Sequence, residues 1–218
     1  MVDESVVAMS PIATASPETV VSGWTVSARH STAALTLTDH TPLSKVAIRA
    51  PWDGALAQTL GVRFGRTARA SWDVGPSTTH VLLAGASPGE WLALAAPGEQ
   101  ALVVGWLEDA AARTDELVSV LDMTHGRALV RLTGASAPRL LAKECGVDLL
   151  DSVCPDASAL RSLVAGVATD ILRDDRGGTR SYLLHCERSS GQYLFDSLLD
   201  AGREFGVEAD GFLAPGIQ

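Results

Sequence analysis

Two stretches of this chain follow one plan, and a repeated plan limits the fold more than any single residue does. Val46 to Arg49 reads as a strand, Asp53 as a helix N-cap, Gly54 to Leu60 as a short helix, and Gly61 as its left-handed stop. Further on, Ala128 to Leu132 reads as a strand, Ser136 as an N-cap, Ala137 to Glu144 as a helix with Pro138 in its first turn, and Gly146 as its stop. At one constant offset Ala50, Leu56, Ala57, Gly61 and Val62 match Ala135, Leu141, Ala142, Gly146 and Val147. At a second offset Leu92, Leu107, Asp109 and Ala110 match Leu183, Leu198, Asp200 and Ala201, with Trp91 facing Tyr182.

The remaining elements keep the same order. His80 to Ala84 and Glu90 to Ala95 flank Ser87-Pro88-Gly89 as a hairpin, Glu99 to Ala112 carries a helical stripe through Leu102, Trp106 and Ala110, and Leu117 to Asp122 is a strand. In the second half, Leu160 to Leu172 is one long β-rich run, Asp174 to Gly178 a turn, Ser181 to Cys186 a strand, and Ser190 caps a helix with Leu194, Leu198, Ala201 and Phe205 on one face. Each half thus reads β-α-β-β-α. The expectation is an α+β fold of two tandem, ferredoxin-like units sharing one core. Residues 1–40, rich in Ser, Thr, Ala and Pro, form an irregular N-terminal arm; 41–116 and 117–212 are the two halves, and 213–218 a tail.

Bulk chemistry excludes several classes. A net charge of -9 argues against nucleic acid, whose recognition rests on clustered Lys and Arg. Arg127, Arg131, Arg139 and Lys143 lie close in sequence and read as a solvated rim. Three irregularly spaced cysteines, Cys145, Cys154 and Cys186, predict neither a disulfide framework nor a zinc site and read as cytosolic thiols. No apolar run suits a membrane span, and Asp3 and Glu4 precede the first basic residue, Arg29, which argues against a secretory leader. The expected location is the cytoplasm.

Four segments carry a family likeness: Thr41-Pro-Leu-Ser44, Ser87-Pro-Gly-Glu-Trp-Leu92, Asp122-Met-Thr-His-Gly-Arg127 and Leu141-Ala-Lys-Glu-Cys-Gly-Val-Asp-Leu149. In order and spacing they resemble the gamma subunits of heterotetrameric sarcosine oxidase, a branch of the folate-binding aminomethyltransferase group that includes the T-protein of the glycine cleavage system. The resemblance implies a T-protein-like fold. It also implies membership of a complex that oxidatively demethylates sarcosine or a related N-methyl amine, with tetrahydrofolate as a one-carbon acceptor. Alpha, beta and delta subunits would be the partners and would hold the flavin and NAD. This chain would be an assembly subunit that binds no cofactor alone. The alternative is a stand-alone folate-binding one-carbon transferase of T-protein type.

The residues agree in lacking Gly-x-Gly-x-x-Gly after a strand, Gly-x-Ser-x-Gly and zinc-spaced histidine pairs, so no catalytic or metal-binding residue is assigned. Two constellations remain as ligand-pocket candidates. Asp122, His125 and Arg127 flank one turn, where a carboxylate can bond a pterin ring or raise a neighbouring imidazole's basicity; the competing reading is a turn that satisfies its own backbone. Glu90 and Trp91 can bond and stack on a flat heterocycle, although Trp91 alternates with Ala93 and Ala95 as a core aromatic does. Trp24, Trp52 and Trp72, in arm, cap and loop contexts, suit a partner surface or their own core. His185, Cys186 and Cys145 read as structural.

Overall fold

The computed structural model describes residues 7–217; Met1 to Val6 of the expected arm and Gln218 of the expected tail lie outside the described residues. The strands are β1 (Ala8–Met9), β2 (Glu18–Val21), β3 (Trp24–Ser27), β4 (Leu35–Asp39), β5 (Ser44–Arg49), β6 (Thr67–Val74), β7 (Ser77–Ser87), β8 (Glu90–Ala95), β9 (Ser119–Asp122), β10 (Arg127–Gly134), β11 (Ala159–Val164), β12 (Val167–Arg173), β13 (Ser181–Glu187) and β14 (Glu208–Asp210). The α-helices are α1 (Ala55–Leu60), α2 (Gln100–Ala111), α3 (Ala137–Glu144) and α4 (Gly191–Gly202). One five-stranded sheet has the order β6-β7-β8-β5-β9, a six-stranded sheet β11-β12-β13-β10-β4-β14, and a small third sheet β1-β3-β2.

The two large sheets lie face to face with helices outside. Period-2 alternation sorts each strand. On β7, Val81 and Leu83 turn toward α1 and α2 with Trp91 and Ala93 of β8, while Leu82, Ala84, Leu92 and Leu94 turn inward. On β10 and β13, Val130, Leu132, Tyr182 and Leu184 meet α3 and α4, while Leu129 and Leu183 turn inward. The inward sets of both sheets form one cluster with Leu43, Leu172 and Phe212, which is the shared core expected of two tandem units. Each buried leucine there contributes about 1.5–3 kcal/mol. Strands buried on both faces read as unbroken apolar runs, which is why β7, β8, β10 and β13 were legible by composition.

The structure adds a strand to each unit. β6 precedes the expected hairpin, and the run from Leu160 to Leu172 is itself a hairpin, β11 and β12, turning at Ala165 and Gly166, both with positive φ. Both units therefore run β-α-β-β-β-α and end in a further strand, β9 or β14. The expected boundary between the halves, after residue 116, lies in the segment that follows α2, and β9, beyond it, still pairs with β5.

The irregular arm is corrected. β2 and β3 form a hairpin turning at Ser22 and Gly23, both with positive φ, and β3 buries Trp24 and Val26 against the shared core. β4 alternates Leu35 and Leu37 with threonines and lies inside the six-stranded sheet, between β10 and β14. Ser/Thr-rich composition masked strands that tertiary pairing stabilises.

A second correction concerns α1. Its N-cap is Gly54, without a side-chain cap; the Glu116 carboxylate instead accepts the Ala55 N–H at 2.5 Å and the Leu56 N–H at 3.2 Å. A carboxylate from a distant segment thus does the capping expected of Asp53. A Cβ at position 54 would collide with Glu116.

Candidate functional site

The turn from β9 to β10 passes from one large sheet to the other, which is why its residues draw attention. Asp122 Oδ1 accepts the Thr124 N–H at 2.8 Å, and Thr124 Oγ1 accepts the Lys45 N–H at 3.0 Å. The carboxylate thereby closes its own turn. His125 stacks on Trp24 of the arm, ring centroids 4.9 Å apart and planes 9° from parallel. Arg127 pairs with Glu187 on β13, its Nε buried without a partner among the described residues. The structure brings the three to one turn and sends their functional groups to three different neighbours.

Beneath that turn, Lys45 is fully buried and its ammonium donates to the Thr41 carbonyl at 2.6 Å and the Leu43 carbonyl at 2.7 Å. Burial lowers its pKa to about 7, against the opposing pull of Asp39 and Asp122. Strand period alone would have made Lys45 a surface residue, and no sequence signal announced its place.

Glu90 and Trp91 point to opposite faces of β8. The Trp91 ring is buried among the α1 and α2 side chains, and its Nε1 donates to the Val62 carbonyl at 2.7 Å. Glu90 joins Arg49 at 3.0 Å and Arg161 at 3.2 Å. Arg161 continues to Asp170 at 2.6 Å, and Asp170 to His185 Nδ1 at 3.0 Å. Burial works to raise the Asp170 pKa, but the bonds from His185 and Arg161 outweigh it and hold the carboxyl below its ordinary value. Burial outweighs the Asp170 partner at His185 and lowers the imidazole pKa. This chain of charges ties β5 and the β7–β8 hairpin to β11, β12 and β13.

Trp91 also floors a cleft of about 790 Å³ between α1 and the β7–β8 turn. Trp52 and Phe64 stand at its rim, 71% and 60% exposed, with Asp53 and Arg63. Trp24 and Trp72, by contrast, are buried, Trp72 stacked on Trp106 at 4.1 Å. Of the tryptophans weighed as partner-surface residues, Trp52 is the exposed one.

A second cleft, of about 440 Å³, was missed by sequence reading. Thr36, Thr38 and His40 on and after β4, Arg131 and Thr133 on β10, and Arg176 in the turn after β12 line it. Arg131 is 5% exposed and bonds Asp174 at 2.8 Å and Ser181 Oγ at 2.8 Å; Arg176 shares the same carboxylate at 3.1 Å. Burial lowers the Arg131 pKa to about 10, and burial, with Arg131 and Arg176 nearby, pushes His40 well below its ordinary value, so the imidazole is neutral. His40 Nδ1 and Arg131 Nε are buried without partners among the described residues. Guanidinium groups around a polar cavity suit an anionic ligand. Arg131 belongs to the group read as a solvated rim. The alternation of β10, which puts Arg131 on the inward face with Leu129, was the signal that could have found it.

Among the described residues no group of three or more His, Cys, Asp or Glu side chains is placed to hold a metal ion. No helix among them is long and apolar enough to cross a membrane.

Comparison with known proteins gives this geometry its relatives. The family model of the GCVT N-terminal domain matches residues 75–216. Mitochondrial dimethylglycine dehydrogenase of Rattus norvegicus is 26% identical over 128 residues, 59% of this chain and 15% of that protein. The gamma subunit of sarcosine oxidase from Corynebacterium sp. (strain P-1) is 30% identical over 121 residues, 56% of each chain. The chain thus spans a small fraction of the dehydrogenase and about half of the gamma subunit. Among solved structures, heterotetrameric sarcosine oxidase from Corynebacterium sp. U-96 superposes with a TM-score of 0.64 at 22% identity, covering 83% of this chain and 90% of that one. Aminomethyltransferase T of the glycine cleavage system from Bartonella henselae gives 0.73 at 16% identity, covering 94% and 60%. The fold is therefore the T-protein-like one that the four segments implied, and the first unit is built like the second although the family match begins only at residue 75. With the match spanning well over half of its length, the chain belongs to the GCVT N-terminal domain family.

Proposed function

We propose that this chain is a gamma-type assembly subunit of a sarcosine-oxidase-like complex. The complex demethylates sarcosine or a related N-methyl amine in the cytoplasm. Alpha, beta and delta subunits supply the flavin and NAD sites, and tetrahydrofolate takes up the one-carbon unit. The observation that carries the reading is the fate of the candidate groups. Asp122, His125, Arg127, Glu90 and the Trp91 N–H are each engaged by the chain itself. The 30% identity to a gamma subunit supports the same reading. Co-expression with sarcosine-oxidase-type alpha, beta and delta subunits, followed by size exclusion with light scattering, tests it. Co-elution at the mass of the full complex is expected; a chain that stays alone beside an assembled remainder overturns it.

A second reading, a stand-alone folate-binding one-carbon transferase, is favoured by one observation: the guanidinium-bearing Arg131 and Arg176 both line the cleft at His40. The glutamyl carboxylates of tetrahydrofolate are anions of the kind Arg131 and Arg176 would attract. Calorimetry separates the two readings. Micromolar binding to the isolated chain (roughly -8 kcal/mol), lost in Arg176→Met, supports the transferase; a flat titration supports the assembly role.

A further inference from the structure

The cleft at His40 and Arg131 carries more positive charge than the chain neutralises. Three guanidinium groups gather on one carboxylate: Asp174, its side chain 6% exposed, pairs with Arg69, Arg131 and Arg176. Among the described residues none of the three arginines has a second ionic partner. Arg69 also donates to the Ile217 carbonyl, and Arg176 to the Gly216 carbonyl at 3.1 Å. A carbonyl satisfies a donor but cancels no charge. Burial accordingly holds the Arg176 pKa below its ordinary value even beside Asp174. One further acid, Asp210, lines the cleft, and its Oδ1 accepts the Ser31 N–H at 2.8 Å and the Gly211 N–H at 3.0 Å. Three guanidinium groups thus face two carboxylates, one positive charge in excess.

The register of the six-stranded sheet places the polar groups. Arg131 and Thr133 continue the inward row of β10 that begins at Leu129. On β4, Thr38 is the register partner of Arg131 and Thr36 that of Thr133; on β14, Asp210 is the partner of Thr38. The intervening Leu35 and Leu37 turn to the opposite face, among the α3 and α4 side chains. One sheet face is therefore apolar at Leu129 and Leu183, inside the shared core, and polar from Arg131 onward, where the cleft of about 440 Å³ opens. Thr36 and Thr38 line it together with Arg176, whose side chain is 28% exposed. Hydroxyl and guanidinium donors around one concavity match the oxygen acceptors of an oxyanion.

We propose that this cleft binds the carboxylate of a small organic acid. Arg176 donates to the carboxylate oxygens, Thr38 supplies a hydroxyl donor, and the buried Arg131 adds its charge from the sheet. A single excess charge matches a monoanion, which favours a carboxylate over a phosphate dianion. The planar fork of a guanidinium also fits two coplanar oxygens. The cavity has the size of a small-molecule site. A glutamyl carboxylate is one such group, but the site does not need the rest of folate, and it rests on neither functional reading.

The test is acetate titrated into the full chain at constant ionic strength in chloride, followed by saturation-transfer NMR. Acetate binds saturably in the millimolar range or more tightly, and its methyl protons show contacts to the Thr38 methyl group. Arg176→Met weakens binding at least about tenfold, the usual worth of a charge-assisted hydrogen bond, and Thr38→Val about threefold, that of a neutral one. Arg139→Met, on α3 and outside the cleft, leaves it within about twofold. Thr38→Val is nearly isosteric and keeps the strand, so it tests the site even if Arg176→Met fails to fold. Absence of saturable acetate binding, or binding that survives both cleft variants unchanged, overturns the proposal. Inorganic phosphate that displaces acetate at a tenfold lower concentration overturns the assignment to a carboxylate. Acetate binding beside a flat folate titration upholds the site and leaves the transferase reading without support.

Discussion

Trp24 lies flat on His125, 4.9 Å between ring centres. One ring comes from a hairpin of the N-terminal segment and the other from the turn that joins the two large sheets. The contact covers one face of the His125 ring, while the residue itself remains exposed. The N-terminal segment is also tied to this junction by Arg188, whose guanidinium donates to the His125 carbonyl at 3.4 Å and the Met9 carbonyl at 2.5 Å.

Removing that contact has a readable cost. Trp24→Ala should destabilise the chain by about 3–5 kcal/mol, the usual loss for a buried tryptophan, measured by urea unfolding. A loss below about 1 kcal/mol would mean that the indole does not contribute to the shared core.

Asp174 compensates two guanidinium groups, Arg131 and Arg176, and also pairs with Arg69. Asp174→Ala leaves Arg131 buried and uncompensated, and a loss of about 3–5 kcal/mol is expected. The double change Arg131→Met with Asp174→Leu should recover most of it, since replacing both partners by apolar groups is often neutral. Equal damage from the single and the double variant would contradict this account.

Lys45 sets a pH dependence with a definite sign. Its folded pKa, about 7, lies below the unfolded value, so between pH 7 and the ordinary lysine range the unfolded chain binds the extra proton. Stability from this group therefore rises with pH across that window, and is lowest below pH 7, where the buried ammonium is charged. The difference between wild type and Lys45→Met isolates the effect from cysteine and tyrosine titration. That difference should change by a few kcal/mol between pH 7 and pH 10 (about 1.4 kcal/mol per pKa unit), measured by chemical denaturation. A pH-independent difference would place the lysine in contact with water.

The wall of the Trp91 cleft is testable by itself. Gly85→Ala pushes a methyl group into the Arg63 carbonyl and should cost about 1–3 kcal/mol. It should also move the Trp91 emission, because Val62, which accepts the Trp91 N–H, lies on the displaced segment. Gly61→Ala, at positive φ but with open space around it, tests backbone strain alone and should leave Trp91 emission unchanged.

Some of this was legible and some was not, for physical reasons. α3 was readable to the residue because a proline in its first turn and an apolar stripe coincide there, although it ends at an extended Cys145 and not at a left-handed Gly146. β8 was readable from Trp91, Ala93 and Ala95 against the hairpin turn. β2, β3 and β4 were not, because Ser- and Thr-rich strands acquire their pairing from partners far along the chain. The helix start at Ala55 depends on Glu116, a contact that no local window contains. Arg131 and Lys45 hide for a related reason: a cation in a strand reads as surface until the opposing sheet is placed over it.

β4 precedes the first unit along the chain yet lies between β10 and β14 of the second. A cut between the units would therefore strip the later fragment of an interior strand and leave β14 with nothing to pair. The halves are repeats in shape but not separable modules. Expressed apart they should fail to fold, and intact they should unfold in a single transition.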